Sequence, residues 1–123
     1  LVYEYKGEQK TITDKGGTMR LGGWDCEIKE GTKAYDIYGS SLINERHRHR
    51  YEFNNYYTEA FEKAGMVLSG VNPETRLVEI IELPNHPFFV AAQYHPEYKS
   101  TVANPHPLFK AFVKAAVDKK LNS

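Results

Sequence analysis

The sequence predicts an α/β fold, a mixed sheet with an antiparallel meander and flanking helices. Three observations carry that expectation. Short apolar runs at 66–69, 76–83 and 88–93 are joined by the links VNPET and PNHP. Links that short join antiparallel neighbours, because a parallel crossover needs about a dozen residues or more. From Pro107 onward, Leu108, Phe109, Phe112, Val113, Ala116 and Val117 form one helical stripe, while Lys110, Lys114, Asp118 and Lys119 face away. Before the meander, Tyr57, Ala60, Phe61 and Ala64 follow helical spacing up to Gly65, a left-handed stop.

The remaining elements follow in chain order. Leu1 to Lys6 reads as part of a strand and carries no signal-peptide pattern. Residues 6–17 are polar and end in glycine, so a mobile loop is expected there. Residues 18–29 alternate loosely through Met19, Leu21, Trp24, Cys26 and Ile28, and the Gly22-Gly23 break predicts two short strands or a bulged one. A short helix over 32–38 closes at Gly39. Residues 41–53 read as extended, and Asn54 or Asn55 caps the helix that runs to Ala64. Pro107 suits the first turn of the last helix, whose stripe is expected to pack on the sheet.

Composition bounds the function. The 123 residues suffice for one small domain or part of a larger one. Sixteen basic and sixteen acidic side chains cancel, so no global field draws nucleic acid or an anionic membrane. No apolar run approaches a membrane span. The single cysteine, Cys26, excludes an internal disulfide and agrees with a cytoplasmic location. The chain begins without methionine inside a strand-like run, which is the expectation for a fragment.

Chemistry concentrates in two places. Gln93-Tyr94-His95-Pro96-Glu97 follows an apolar run, and a strand end delivers side chains to the rim of a sheet. In an extended segment His95 and Glu97 share a face, and Pro96 between them favours that form. A carboxylate bonded to one imidazole nitrogen fixes the tautomer and leaves the other nitrogen to act on a nucleophile. The bland alternative is a surface turn with Glu97 near a helix start. The second place is Glu45-Arg46-His47-Arg48-His49-Arg50-Tyr51-Glu52. If extended, its arginines project to one face and its histidines to the other. A nucleic-acid patch is disfavoured by flanking Glu45 and Glu52 and by the zero net charge. A metal site on His47 and His49 lacks an identifiable third ligand. A solvated edge strand with local salt bridges is the plain reading. Cys26 sits between Asp25 and Glu27, whose charges raise a thiol's pKa, and no Gly-x-Cys-x-Gly elbow holds it, so it reads as a buried strand residue.

Gly16-Gly17-Thr18-Met19-Arg20-Leu21-Gly22, ERHRHRYEFNN from Glu45, LVEIIELPNHP from Leu77, and QYHPEYKST followed by HPLFKAF together resemble the CTP synthase family, in its order and at its spacings. The H-P-E motif alone marks the broader class I glutamine amidotransferases. The resemblance runs from about Lys15 to Val117 and implies that residues 1–123 are the C-terminal half of such a glutaminase domain. By motif match, His95 is the general base and acid of a Cys–His–Glu triad and Glu97 orients it. Arg50 binds the α-carboxylate of L-glutamine, and the Tyr51 backbone lines the same pocket. No metal or cofactor is implied in this chain. ATP and Mg2+ belong to a synthase domain that makes CTP from UTP, ATP and glutamine. The resemblance places that domain and the nucleophile half of the glutaminase upstream of Leu1, and implies a homo-oligomeric parent, a tetramer. It also implies that this chain alone is inactive. Two other readings remain. One is another class I glutaminase serving a different ligase. The other is a non-catalytic regulatory module with the same fold.

Overall fold

A computed structural model describes residues 20–122 and the backbone of Tyr3–Glu4. The expected mobile loop at 6–17 lies outside the described residues. The elements are β1 (Tyr3–Glu4), β2 (Arg20–Ile28), α1 (Lys33–Tyr38), β3 (Leu42–His49), β4 (Glu52–Phe53), α2 (Thr58–Lys63), β5 (Val67–Val71), β6 (Val78–Glu82), β7 (Val90–Ala92) and α3 (Pro107–Leu121). Five strands form one sheet in the order β3-β2-β5-β6-β7, and β1 pairs with β4 separately. Every ladder among the described residues is antiparallel. The α/β fold with its meander and flanking helices is as expected, and among the described residues the sheet is antiparallel throughout rather than mixed.

Local chemistry sets each boundary. Thr32 caps α1, its hydroxyl accepting from the Tyr35 amide at 3.2 Å, and Gly39 ends the helix at φ 68°. The Glu82 carboxylate accepts from the Lys33 and Ala34 amides at 2.7 and 3.0 Å, so β6 supplies a second anionic cap to the same helix end. The Asn54 side chain accepts from the Tyr56 amide, but the first turn there, Asn55–Tyr57, is a 3-10 helix before α2 begins. The Gly22-Gly23 break does not divide β2. The strand runs unbroken from Arg20 to Ile28 in register with β3, because Gly22 adopts φ 82°, which a residue with a Cβ rarely takes.

The 41–53 segment is interrupted rather than continuous. Strand β3 ends at His49, and Arg50 and Tyr51 form a corner before β4. Along β3 burial alternates, with Glu45 and His47 buried and Arg46 and Arg48 exposed. The expected division of histidines from arginines is therefore real for the strand. Arg50 lies beyond its end and is half-buried, so it does not share the exposure of Arg46 and Arg48.

Cys26, Ile28, Ala34, Ile80, Tyr94 and Leu108 make the apolar core, between the sheet and the first turns of α1 and α3. At 25 cal/mol per Å² each fully buried aliphatic side chain contributes about 1.5–3 kcal/mol. Gly70 permits the packing of β5 on this core. A Cβ there would lie 2.6 Å from the Ile80 side chain and 2.8 Å from the Cys26 sulfur. Packing of α3 departs from expectation. Only Leu108 of its stripe is buried, while Phe109, Phe112, Val113 and Val117 are 41, 57, 58 and 50% exposed. The helix leans on α1 near its N-terminus, and Phe112 meets Phe88 edge-on at 5.5 Å. The rest of its apolar face is not covered by the sheet.

The sheet curls until its ends meet. Past β7, the His95 amide donates to the Arg46 carbonyl of β3 at 2.9 Å, linking the two outermost strands of the order. Lys99 also donates to the Asn44 carbonyl.

Candidate active site

His95 leaves β7 in an extended conformation, φ −111° and ψ 90°, but Pro96 opens a 3-10 turn over Pro96–Lys99. The extended reading of 95–97 is therefore corrected. Pro96 lacks an amide hydrogen and has a fixed φ, which suits the first position of a turn. The turn still brings the pair together, with His95 Nδ1 2.8 Å from Glu97 Oε2. An ionised carboxylate only accepts, so Nδ1 carries the hydrogen and the Nε2 lone pair is left available. Glu97 is held below the usual carboxylate range, chiefly by this hydrogen bond. The imidazole stacks on Tyr98, 5.3 Å between centroids and 25° between planes. One face of the ring is thus fixed and 37% of the side chain is open to solvent.

The Arg50–Tyr51 corner lies against the strand exit that carries His95. Its main-chain carbonyl at Tyr51 accepts from His49 Nδ1 at 2.9 Å and from the Gln93 side-chain amide at 3.0 Å. Arg50 Nη1 is buried and has no hydrogen-bond partner among the described residues. A buried cationic donor left unpaired costs free energy. Such a donor invites an anion.

Beneath the corner lies a buried polar network that connects strands distant in sequence. Arg20 holds Glu52 through two contacts at 3.1 and 3.0 Å and reaches Glu79 at 2.7 Å. His47 Nε2 lies 3.3 Å from Glu79, and His47 Nδ1 lies 2.9 Å from His49 Nε2. Burial, with the positive Arg20 next in weight for His47, pulls His47 down to about 3; burial, with smaller contributions, pulls His49 down to about 4. Both rings are therefore neutral near pH 7. His49 must donate from Nδ1 to a carbonyl, so its Nε2 accepts and His47 Nδ1 donates. These two histidines bond to each other. Among the described residues no group of three His, Cys, Asp or Glu is arranged to hold a metal ion.

A second buried cluster anchors the segment after β7. The Tyr38 hydroxyl donates to Glu45 at 2.6 Å and lies 2.8 Å from the Tyr94 hydroxyl. His106 Nε2 meets the same Glu45 oxygen at 2.5 Å, while its Nδ1 accepts from the Leu108 amide and caps α3. Burial pushes both tyrosines above the ordinary phenol range. Tyr94, next to His95, is thereby tied to β3, α1 and α3 at once.

Cys26 is the buried strand residue expected, with its thiol pushed up to about 12. The cause differs from the sequence reading. Burial dominates, followed by Glu79, and the flanking Asp25 and Glu27 are not the source. Arg46 and Arg48 form no ion pair among the described residues. A groove of about 700 Å³ runs between α1 and α3, lined in part by Lys33, Lys99, Lys110 and Lys114. His95, Glu97 and Arg50 do not line it.

Residues 2–115 match the model of the family described as glutamine amidotransferase class-I. The chain belongs to that family. Among curated relatives it is 68% identical over 111 residues to a CTP synthase of Flavobacterium johnsoniae and 69% identical over 113 residues to one of Flavobacterium psychrophilum. These alignments cover 90% and 92% of this chain but 21% of each relative, so the chain spans about a fifth of their length. Among solved structures it resembles the Trypanosoma brucei CTPS glutaminase domain with bound acivicin. The TM-score is 0.85 at 37% identity, over 95% of this chain and 46% of that one. The fold is that of the class I glutaminase domain.

Sequence reasoning missed the residues that hold the site. Gln93, His49, Glu79, Glu82 and His106 make hydrogen bonds or ion pairs across the fold. Their one legible signal was two glutamates inside the apolar run Leu77–Leu83, since an acid in a buried strand needs a partner.

Proposed function

We propose that this chain is part of a CTP synthase, within its glutaminase domain, and supplies the acid–base dyad and the glutamine carboxylate site. The observation that carries the reading is His95 Nδ1 bonded to Glu97 at 2.8 Å, with the ring half-open to solvent. That arrangement suits a general base. Nε2 takes the proton of a cysteine thiol, and the thiolate attacks the side-chain amide carbon of L-glutamine. The imidazolium then gives its proton to the leaving ammonia. Water hydrolyses the remaining thioester to glutamate, with His95 again as base. Glu97 holds the ring and balances its transient positive charge.

The nucleophile in this reading comes from the remainder of the domain, because the chain's one thiol, Cys26, is buried and held protonated. Arg50 pairs with the substrate α-carboxylate, supported by the buried unpartnered Nη1, and the Tyr51 backbone borders the same pocket. Ammonia passes to a synthase domain where ATP, with Mg2+, activates UTP. A tetrameric, cytoplasmic parent completes the proposal. No helix among the described residues is long and apolar enough to cross a membrane.

The test is His95→Ala in the full-length protein. Glutamine-dependent CTP formation disappears and formation from added ammonia persists. Equal loss of both would make His95 a folding residue and sink the reading.

A further inference from the structure

We infer that Gln93 is a positioning residue that sets the spacing between the two ends of the glutamine site, an inference that rests on the roles proposed for Arg50 and His95. Gln93 stands two residues before His95, and its side-chain amide donates to the Tyr51 carbonyl at 3.0 Å. Its own main-chain amide donates to the Glu79 carbonyl at 2.9 Å, so its backbone is fixed to β6. The Tyr51 carbonyl also accepts from His49, which is braced in turn by His47. Both lone pairs of that oxygen are then occupied.

These contacts close a small ring. It runs along the chain from Arg46 to Tyr51, crosses to Gln93, continues to His95, and returns through the His95 amide to the Arg46 carbonyl at 2.9 Å. Arg50 lies on one side of the ring and His95 on the other. The corner at Arg50–Tyr51 lies between β3 and β4, and the side chains of His49 and Gln93 both hold its Tyr51 carbonyl. Glutamine is a two-ended substrate, with a carboxylate to be anchored and an amide to be aligned. A misplacement of about 1 Å between such ends costs roughly a hundredfold in rate. Removing the Gln93 donor frees the corner to drift relative to the base, while Arg50 still binds the carboxylate.

The experiment uses the full-length protein with Gln93→Met, which keeps the length and loses the donor, and Gln93→Asn, which keeps the amide but falls one methylene short. Both variants are expected to lower kcat for glutamine-driven CTP formation about tenfold with little change in KM. Arg50→Lys, by contrast, acts mainly on KM. Ammonia-driven CTP formation and the melting temperature stay at their original values. Unchanged kcat in the variants overturns the inference. So does a parallel fall in the ammonia-driven rate, which would mark a merely structural role. Failure of the underlying reading shows separately, as glutamine-driven activity that survives His95→Ala.

Discussion

Under the proposed function, Arg50→Lys separates substrate binding from folding. The substitution keeps the charge and loses the two-pronged fork that matches a carboxylate. The α-carboxylate of glutamine is remote from its side-chain amide, so the contact proposed for Arg50 is binding energy that positions the reacting end. Losing one charge-assisted hydrogen bond costs ~1.5–3 kcal/mol, or roughly ten- to 150-fold in kcat/KM. Most of that is expected as a raised glutamine KM. The structure adds a second expectation. Arg50 Nη1 is buried without a partner among the described residues, a state that costs ~1–3 kcal/mol in the ligand-free protein. Removing the guanidinium should leave the melting temperature unchanged or raise it. The assays are steady-state CTP formation over a glutamine series, the same with ammonia, and thermal melting of the free protein. Arg46→Lys and Arg48→Lys are controls, because both residues are exposed on β3. If Arg48→Lys raises the glutamine KM and Arg50→Lys does not, the carboxylate site has been placed on the wrong residue. A melting temperature several degrees lower in Arg50→Lys would refute the unpaired-donor argument.

The 123-residue polypeptide by itself is expected to release no ammonia from glutamine above background, since Cys26 is buried and its thiol pushed up to about 12; measurable turnover by the purified chain would refute this. The exposed stripe of Phe109, Phe112, Val113 and Val117 predicts concentration-dependent self-association of the same polypeptide in sedimentation, abolished by Phe112→Glu with Val113→Lys. A stable monomer at high concentration would show that the stripe is harmless. Stability is expected to fall with pH. His47 and His49 have folded values near 3 and 4, below the ordinary 6.5, so the unfolded chain binds protons first as pH drops. Each group costs about 1.4 kcal/mol per pH unit between those limits, and urea midpoints that stay flat from pH 7 to pH 5 would contradict it. Arg20→Met leaves Glu52 and Glu79 without their shared cation and is expected to cost about 3–5 kcal/mol in urea unfolding; a loss under 1 kcal/mol would remove Arg20 from the list of anchors.

Much of this was legible because local rules decided it. Gly39 ends α1 through cap chemistry, and the VNPET and PNHP links force antiparallel neighbours whatever the tertiary context. The alternation in Glu45–His49 was readable for the same reason. What local rules do not govern stayed hidden. Pro96 was read as keeping 95–97 extended, yet it opens a turn, because proline's fixed φ serves both conformations and the contacts of β3 choose between them. The stripe on α3 announced an apolar partner but not where that partner lies. His95 and Glu97 were visible as a pair. The supports under them were not, because Gln93 and Glu45 reach across 42 and 61 residues of sequence to Tyr51 and His106.

The closing contact of the sheet has a consequence for solubility. An outer strand ordinarily presents a row of unpaired carbonyls on which another chain can build a new strand. On β3 the carbonyls of Asn44 and Arg46, two residues apart and so pointing the same way, are already taken by Lys99 and by the His95 amide. The segment that carries His95 is therefore also the cover on that edge. Changes that loosen residues 95–99 would do double harm, misplacing the imidazole and opening a template for strand addition. Loss of activity in such variants should arrive together with a tendency to form β-rich aggregates.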